Sequence, residues 1–211
     1  MLWPNGLPSE IDMLHPSTAC RIYQFSYEEY PELFDNFAAG GKRNPIGGLI
    51  DRQQKKIAVS TNYEAAYTRF TGGHEVGHLI LHPEDKILHR DRVVKDQASI
   101  KQMARPKKEK EADYFSACYL MPPNLLIERF ERIFGKGHVH FDETLSFHLN
   151  KHDPQKLMYA ERGSLDREFA LATYAPITKN HQKLISLADQ FKVSPSAMAI
   201  RIEEFDLIKW P

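Results

Sequence analysis

The sequence predicts an α+β fold, mostly helical, with a small antiparallel sheet and a closing pair of helices. Three observations predict it. Two short β-prone runs, 46–50 and 57–61, flank the polar stretch 51–56 and read as a hairpin. Helical patterns cover about 64–81, 109–120 and 125–134, and are stopped by Pro83, by Met121-Pro122-Pro123 and by Gly135. A last pair of helical runs, 180–191 and 196–205, surrounds the turn Val193-Ser194-Pro195.

The remaining segments follow from local signals. Residues 1–19, rich in Pro, Gly and Ser, read as an irregular lead-in. Cys20 to Phe25 alternates and reads as a strand, and Ser26, followed by Glu28 and Glu29, reads as the cap of a helix over 27–37. Residues 40–45 form a loop, and Asn62 caps the helix at 64–81. The charged stretch 84–108 reads as a surface loop with a short helix at 97–104. Asn124 caps the run at 125–134, 138–141 is a short strand, and 144–149 and 154–161 are helical turns. The organisation expected is a domain over 1–179, with 123–179 as an insertion, and a helical segment over 180–211.

Bulk composition narrows the function. A chain of 211 residues with 42% hydrophobic residues builds a substantial core. Lys+Arg and Asp+Glu both number 28, so no global charge argues for nucleic acid or an anionic membrane. The two cysteines, Cys20 and Cys118, make neither a disulfide framework nor a metal-binding pair, which points to a reduced, cytoplasmic setting. The first residues lack a basic stretch followed by an apolar one, so no signal peptide is expected. The apolar runs are too short to span a bilayer.

Chemistry concentrates at His74-Glu75-Val76-Gly77-His78. Two histidines four apart stand one turn apart on one helix face, so both imidazoles can reach one metal ion. Glu75, adjacent to the first ligand, is placed to act as general base toward water activated at the metal. A catalytic zinc site needs a third protein ligand and an open position. His82 is the nearest histidine, but an unbroken helix separates His74 from His82 by about 12 Å along its axis. Its expected place is the end of the helix. The second helix offers Glu109 and Asp113, four apart on one face, with Glu109 as third ligand and Asp113 accepting the remaining N–H of His74 or His78. Glu111 points about 160° away from Asp113 and is expected in solvent.

The block from Arg69 to His82 resembles the H-E-x-x-H block of the ImmA/IrrE-type zinc metallopeptidases. The block from Glu109 to Pro122 resembles their second block, with Ser116 and Tyr119 as mild departures, and residues 184–205 resemble the helix-turn-helix-like segment that follows. The resemblance implies a minimal zincin-like, gluzincin-like fold with Zn2+ held by His74, His78 and Glu109, and Glu75 as base. It also implies an endopeptidase whose protein substrate is a helix-turn-helix repressor, so that cleavage relieves repression in stress responses or mobile-element regulation.

Tyr63, Tyr114, His138, His140 and Tyr159 all have the chemistry to stabilise an oxyanion, and the sequence does not choose among them. A strand within 46–61 is expected at a sheet edge, where an extended substrate could pair. The helix 196–205 has one Arg and two Glu, too few clustered cations for phosphate contact, so direct DNA binding is not expected. The competing function is a non-catalytic module that sequesters a repressor or acts as a toxin–antitoxin-type partner. An intact Glu75 argues against it.

Overall fold

The computed structural model describes residues 9–35, 44–84, 88–92, 106–176 and 184–210. The chain divides into two compact units, Met1–Leu120 and Met121–Pro211; the second takes in both the 123–179 stretch and the tail.

The first unit opens with α1 (Glu10–Met13) and α2 (Pro16–Ile22). Pro16 occupies the first turn of α2, where a missing N–H is harmless, and His15 Nδ1 accepts from Ser17 N. The helix ends in a left-handed residue, Gln24 (φ 60°), with Phe25 N donating to Cys20 O and Gln24 N to Arg21 O. The strand expected over Cys20 to Phe25 is therefore a helix end. The helix expected from Ser26 is instead strand β1 (Ser26–Tyr30). Long-range pairing overrides the local cap signal, because β1 lies parallel to β4 with Ser26 opposite Lys56 and Tyr30 opposite Ser60.

Strand β2 (Phe34–Asp35) precedes β3 (Asn44–Asp51) and β4 (Lys56–Ser60). The last two form the expected antiparallel hairpin, with Leu49 opposite Ala58, and the parallel β1 makes the sheet mixed. Helix α3 (Ala65–Leu81) follows, with Glu64 rather than Asn62 at its N-cap; Asn62 N donates to Ser60 Oγ. Strand β5 (Leu88–Arg92) lies within the stretch expected as loop. It shows no apolar alternation and is a strand because its backbone pairs antiparallel with β3. Both β3 and β4 are thus interior, and neither is the edge strand expected within 46–61. Helix α4 (Lys107–Leu120) closes the unit and packs closely on α3. The helix expected at 97–104 lies outside the described residues, as do residues 40–43 of the expected loop.

Cys20, Ile50, Ile57, Val59 and Val76 are at most 0% exposed and form one core cluster under α3. There the Cys20 thiol is pushed up to about 12 by loss of hydration, which leaves it inert. Cys118 is half-buried, and both cysteines are free.

The second unit comprises α5 (Pro123–Phe134), β6 (Val139–His140), α6 (Glu143–Leu149), α7 (Pro154–Met158), α8 (Asp166–Thr173), α9 (Leu187–Phe191), α10 (Pro195–Glu204) and β7 (Ile208–Lys209). Pro122, not Asn124, takes the N-cap position of α5. Strands β6 and β7 pair in parallel, with Val139 opposite Ile208. Helix α9 is shorter than the expected 180–191, because Ser186 caps it by accepting from Asp189 N. Lys192, left-handed at φ 56°, makes the turn, and Ser194 caps α10. Arg167 is the polar hub of this unit. Its Nε donates to Leu157 O at 2.7 Å, its Nη2 to Met158 O at 2.7 Å, and its guanidinium lies 4.4 Å from the Trp210 ring centroid.

Among the described residues no helix is long and apolar enough to cross a membrane.

Next to Arg167, Glu168 is 1% exposed, and loss of hydration raises its carboxyl above the ordinary 4.5, with Glu203 adding to the effect. Its own backbone N–H, Arg167 and a further contribution from Asp166 shift the balance less. The folded state therefore binds this proton more tightly than the unfolded chain, and stability falls as pH rises from 4.5 through the raised value. Glu168→Gln is expected to raise the melting temperature at pH 7, with a gain that shrinks as pH falls below the raised value. Thermal melts across that range check this; a gain that grows on acidification contradicts it.

Candidate metal centre

Helix α3 is buried on nearly every side from Thr68 to His78. It packs against α2, β3, β4 and α4. Polar side chains within such a helix need partners, and several tie it in place. Thr68 Oγ1 donates to Ser60 O at 2.9 Å, and Arg69 Nη2 donates to Ile11 O at 3.0 Å. Loss of hydration pushes the Arg69 pKa down, opposed by Tyr119, Asp12 and Tyr27. Ser116 Oγ, from α4, donates to Phe70 O at 2.8 Å.

The contact between α3 and α4 sets the geometry of the site. A Cβ on Gly77 would lie 3.0 Å from Ala112 Cα and 3.1 Å from Ala112 O, so any other residue here would press the two backbones apart by a few tenths of an ångström. One turn from Ala112, Glu109 then meets the histidines. Glu109 Oε2 lies 3.3 Å from His74 Nε2, Glu109 Oε1 lies 3.5 Å from His78 Nε2, and the two Nε2 atoms are 3.0 Å apart. Among the described residues, these three form a group whose ligand atoms all lie within 4.8 Å of one another.

Asp113 Oδ1 is 2.8 Å from His74 Nδ1. An ionised carboxylate only accepts, so Nδ1 carries a proton, and in the neutral imidazole Nε2 keeps its lone pair toward Glu109 and His78. Two imidazole nitrogens and a carboxylate thus converge on one point. Such a donor set fits a divalent cation, and the N, N, O combination suits a first-row metal. Of the two histidines that the sequence offers to Asp113, the structure places His74 beside it.

Glu75 is fully buried on the same helix. Strand β3 passes directly over it, since a Cβ on Gly48 would lie 3.1 Å from Glu75 Cγ and Oε1 and 2.6 Å from Thr71 Cγ2. The carboxylate is thereby held between the backbone of β3 and its own helix.

His82 stands outside the convergent group. It caps α3, with its N–H donating to His78 O at 3.2 Å, and its Nε2 lies 3.2 Å from Lys108 O. Glu111 is half-exposed, with its carboxylate 3.4 Å from Lys107 Nζ and 3.6 Å from His82 Nε2. Of the oxyanion candidates, Tyr114 is exposed on α4, and Tyr63 is half-buried against the Tyr67 ring. His138, His140 and Tyr159 belong to the second unit. Sequence reasoning missed Arg52, whose Nη2 donates to His78 O at 2.7 Å and to His82 O at 2.9 Å. An arginine in a polar hairpin turn carries no signal that it will reach a helix end.

A model of the peptidase M78 family, described as the IrrE N-terminal-like domain, matches residues 33–155. That is more than half of the chain. The chain belongs to the IrrE N-terminal-like, or peptidase M78, family. The match takes in the sheet strands from β2 onward, α3 and α4 with the whole convergent group, and runs into α7. Membership makes this a metallopeptidase-type domain and gives the His74–His78–Glu109 group its reading as a metal site. None of the curated proteins matches the chain.

Gly77→Val is expected to separate α3 from α4. Overpacking at a close backbone contact costs about 1–3 kcal/mol, and the shift carries Glu109 away from the histidines. Denaturant unfolding of the metal-free protein and a metal titration together check this; unchanged stability with unchanged metal affinity contradicts it.

Proposed function

We propose that the chain is a zinc-dependent endopeptidase. The observation that carries this reading is the convergence of His74 Nε2, His78 Nε2 and the Glu109 carboxylate, with Glu75, next to His74 in the chain, fully buried on the same helix. A purely structural metal site has no need of a base at that position. His74, His78 and Glu109 would hold the ion. When bound, zinc supplies a Lewis acid for the scissile carbonyl and lowers the pKa of a water toward about 7.

The chain's own residues supply the rest. Asp113 keeps the His74 Nδ1 proton in place, so that Nε2 stays a lone-pair donor. Glu75 takes the proton of the attacking water at a carboxylate oxygen and later delivers it to the leaving nitrogen. Water is thereby added across the C–N bond, with hydroxyl on the carbonyl carbon and the proton on the amine. The extended backbone of the substrate pairs with β5. This strand pairs with β3 on one side and lies at the sheet edge among the described residues.

The substrate is a protein, and its class, a helix-turn-helix transcriptional repressor, rests on the resemblance of the Arg69–His82 and Glu109–Pro122 blocks and of the tail. Cleavage would relieve repression in the cytoplasm. Direct DNA contact by the tail is not part of this reading. The one arginine of α10, Arg201, is 1% exposed, pairs with Glu204 and donates to Met121 O at 3.2 Å, so it is not offered to phosphate.

The test compares wild type with Glu75→Gln on a candidate repressor, with zinc affinity measured alongside. The expected result is cleavage by wild type, a loss of at least about 100-fold in the variant, and nearly equal zinc affinity. Chelation abolishes cleavage and added zinc restores it. Cleavage that survives Glu75→Gln overturns the mechanism; a wild type that binds the repressor without cutting it favours the sequestering module.

A further inference from the structure

We propose that His82 and Arg52 are positioning residues that together latch the helix bearing the third ligand onto the helix bearing the first two. The inference rests on the metal-site reading above and adds what holds Glu109 in reach of the histidines.

Glu109 has a mechanical problem. It is the third residue of α4, in the first turn, where helix N–H groups lack partners along the helix and the backbone frays. A ligand in a fraying turn does not stay within 3.3 Å of His74 Nε2 unless something outside the helix restrains it. His82 supplies that restraint. Its Nε2 lies 3.2 Å from Lys108 O, and a carbonyl only accepts, so Nε2 is the donor. Lys108 O belongs to the same planar peptide unit as Glu109 N and Cα. Fixing that oxygen fixes the plane from which the Glu109 side chain departs. The His82 ring is 7% exposed and packs 5.3 Å from the His78 ring, centroid to centroid, so the donor has little freedom to swing away.

His82 must itself be held, because it lies just past the end of α3. Arg52 does this. From the β3–β4 turn its Nη2 bridges His78 O, which also accepts from His82 N, and His82 O, one turn further on. The guanidinium charge also suits the negative end of the helix dipole. The chain of contacts thus runs from the hairpin turn to the carbonyl of ligand His78, to His82, and on to the peptide preceding ligand Glu109.

The experiment measures zinc affinity by chelator competition, with circular dichroism to confirm folding, in wild type and in His82→Phe, His82→Gln and Arg52→Met. Phe keeps the ring and removes the donor; Gln keeps an N–H donor of similar reach. His82→Phe is expected to weaken zinc binding roughly 10- to 100-fold, the range typical of residues that orient metal ligands. His82→Gln should recover most of that loss, and Arg52→Met should weaken binding in the same direction. In a Glu109→Ala background, His82→Phe should have almost no further effect, because the latch acts through Glu109. An equal loss in both backgrounds assigns His82 a general structural role and overturns the proposal. So does a zinc affinity that none of the variants alters. A loss in His82→Gln as large as in His82→Phe makes the imidazole a ligand and also overturns it. A wild type that binds no zinc removes the metal reading itself, a result separable from all of these.

Discussion

The close approach of α3 and α4 is the constraint on which the site depends. Neither helix holds a complete ligand set: α3 offers two imidazoles, α4 a carboxylate and its partner Asp113. They combine because Gly77 presents bare backbone to Ala112, at a distance where any Cβ would press on the facing main chain. The Ser116–Phe70 hydrogen bond fixes the same interface earlier on α3 than Gly77 and further along α4 than Ala112. A shift of even one ångström between the helices would part the carboxylate from the histidines, so packing and chemistry here are one requirement.

The same packing places polar groups where water does not reach. His74, Glu75 and His78 are each 1% exposed or less. Burying such groups without compensation costs several kcal/mol in general, and a fold retains them when a partner or an ion offsets that cost. Asp113 compensates one histidine nitrogen. The remaining lone pairs face each other, and a cation at their centre would be both a reagent and a stabilising contact. Binding of such a cation and folding of the first unit would therefore be linked. The hairpin supports the arrangement from two sides, with Gly48 of β3 lying over Glu75 and Arg52 of the turn reaching the far end of α3.

What was legible in the sequence was local. The spacing of His74, Glu75 and His78 on one helix, and of Glu109 and Asp113 on another, follows from helical geometry alone, and helix rise removes His82 as their partner. The hairpin and the stops at Pro83 and Pro122 were equally readable, since Gly, Pro and alternation act over a few residues. What depends on distant pairing was not readable. Ser26 to Tyr30 carries a helix-cap signal and becomes a strand only because β4 is beside it. Leu88 to Arg92 has no strand pattern and is ordered by β3. Arg52 looks like any polar turn residue until the helix end it reaches is in place. His82 could be excluded as a ligand from sequence, but its contact with Lys108 O could not be foreseen.

Two helices are proposed to bring two imidazoles and one carboxylate onto a single ion. X-ray absorption on the zinc-loaded protein tests this most directly. One zinc per chain is expected, with a shell of nitrogen and oxygen at about 2.0–2.2 Å and scattering from two imidazoles. A third imidazole in that shell, or sulfur at about 2.3 Å, would contradict it.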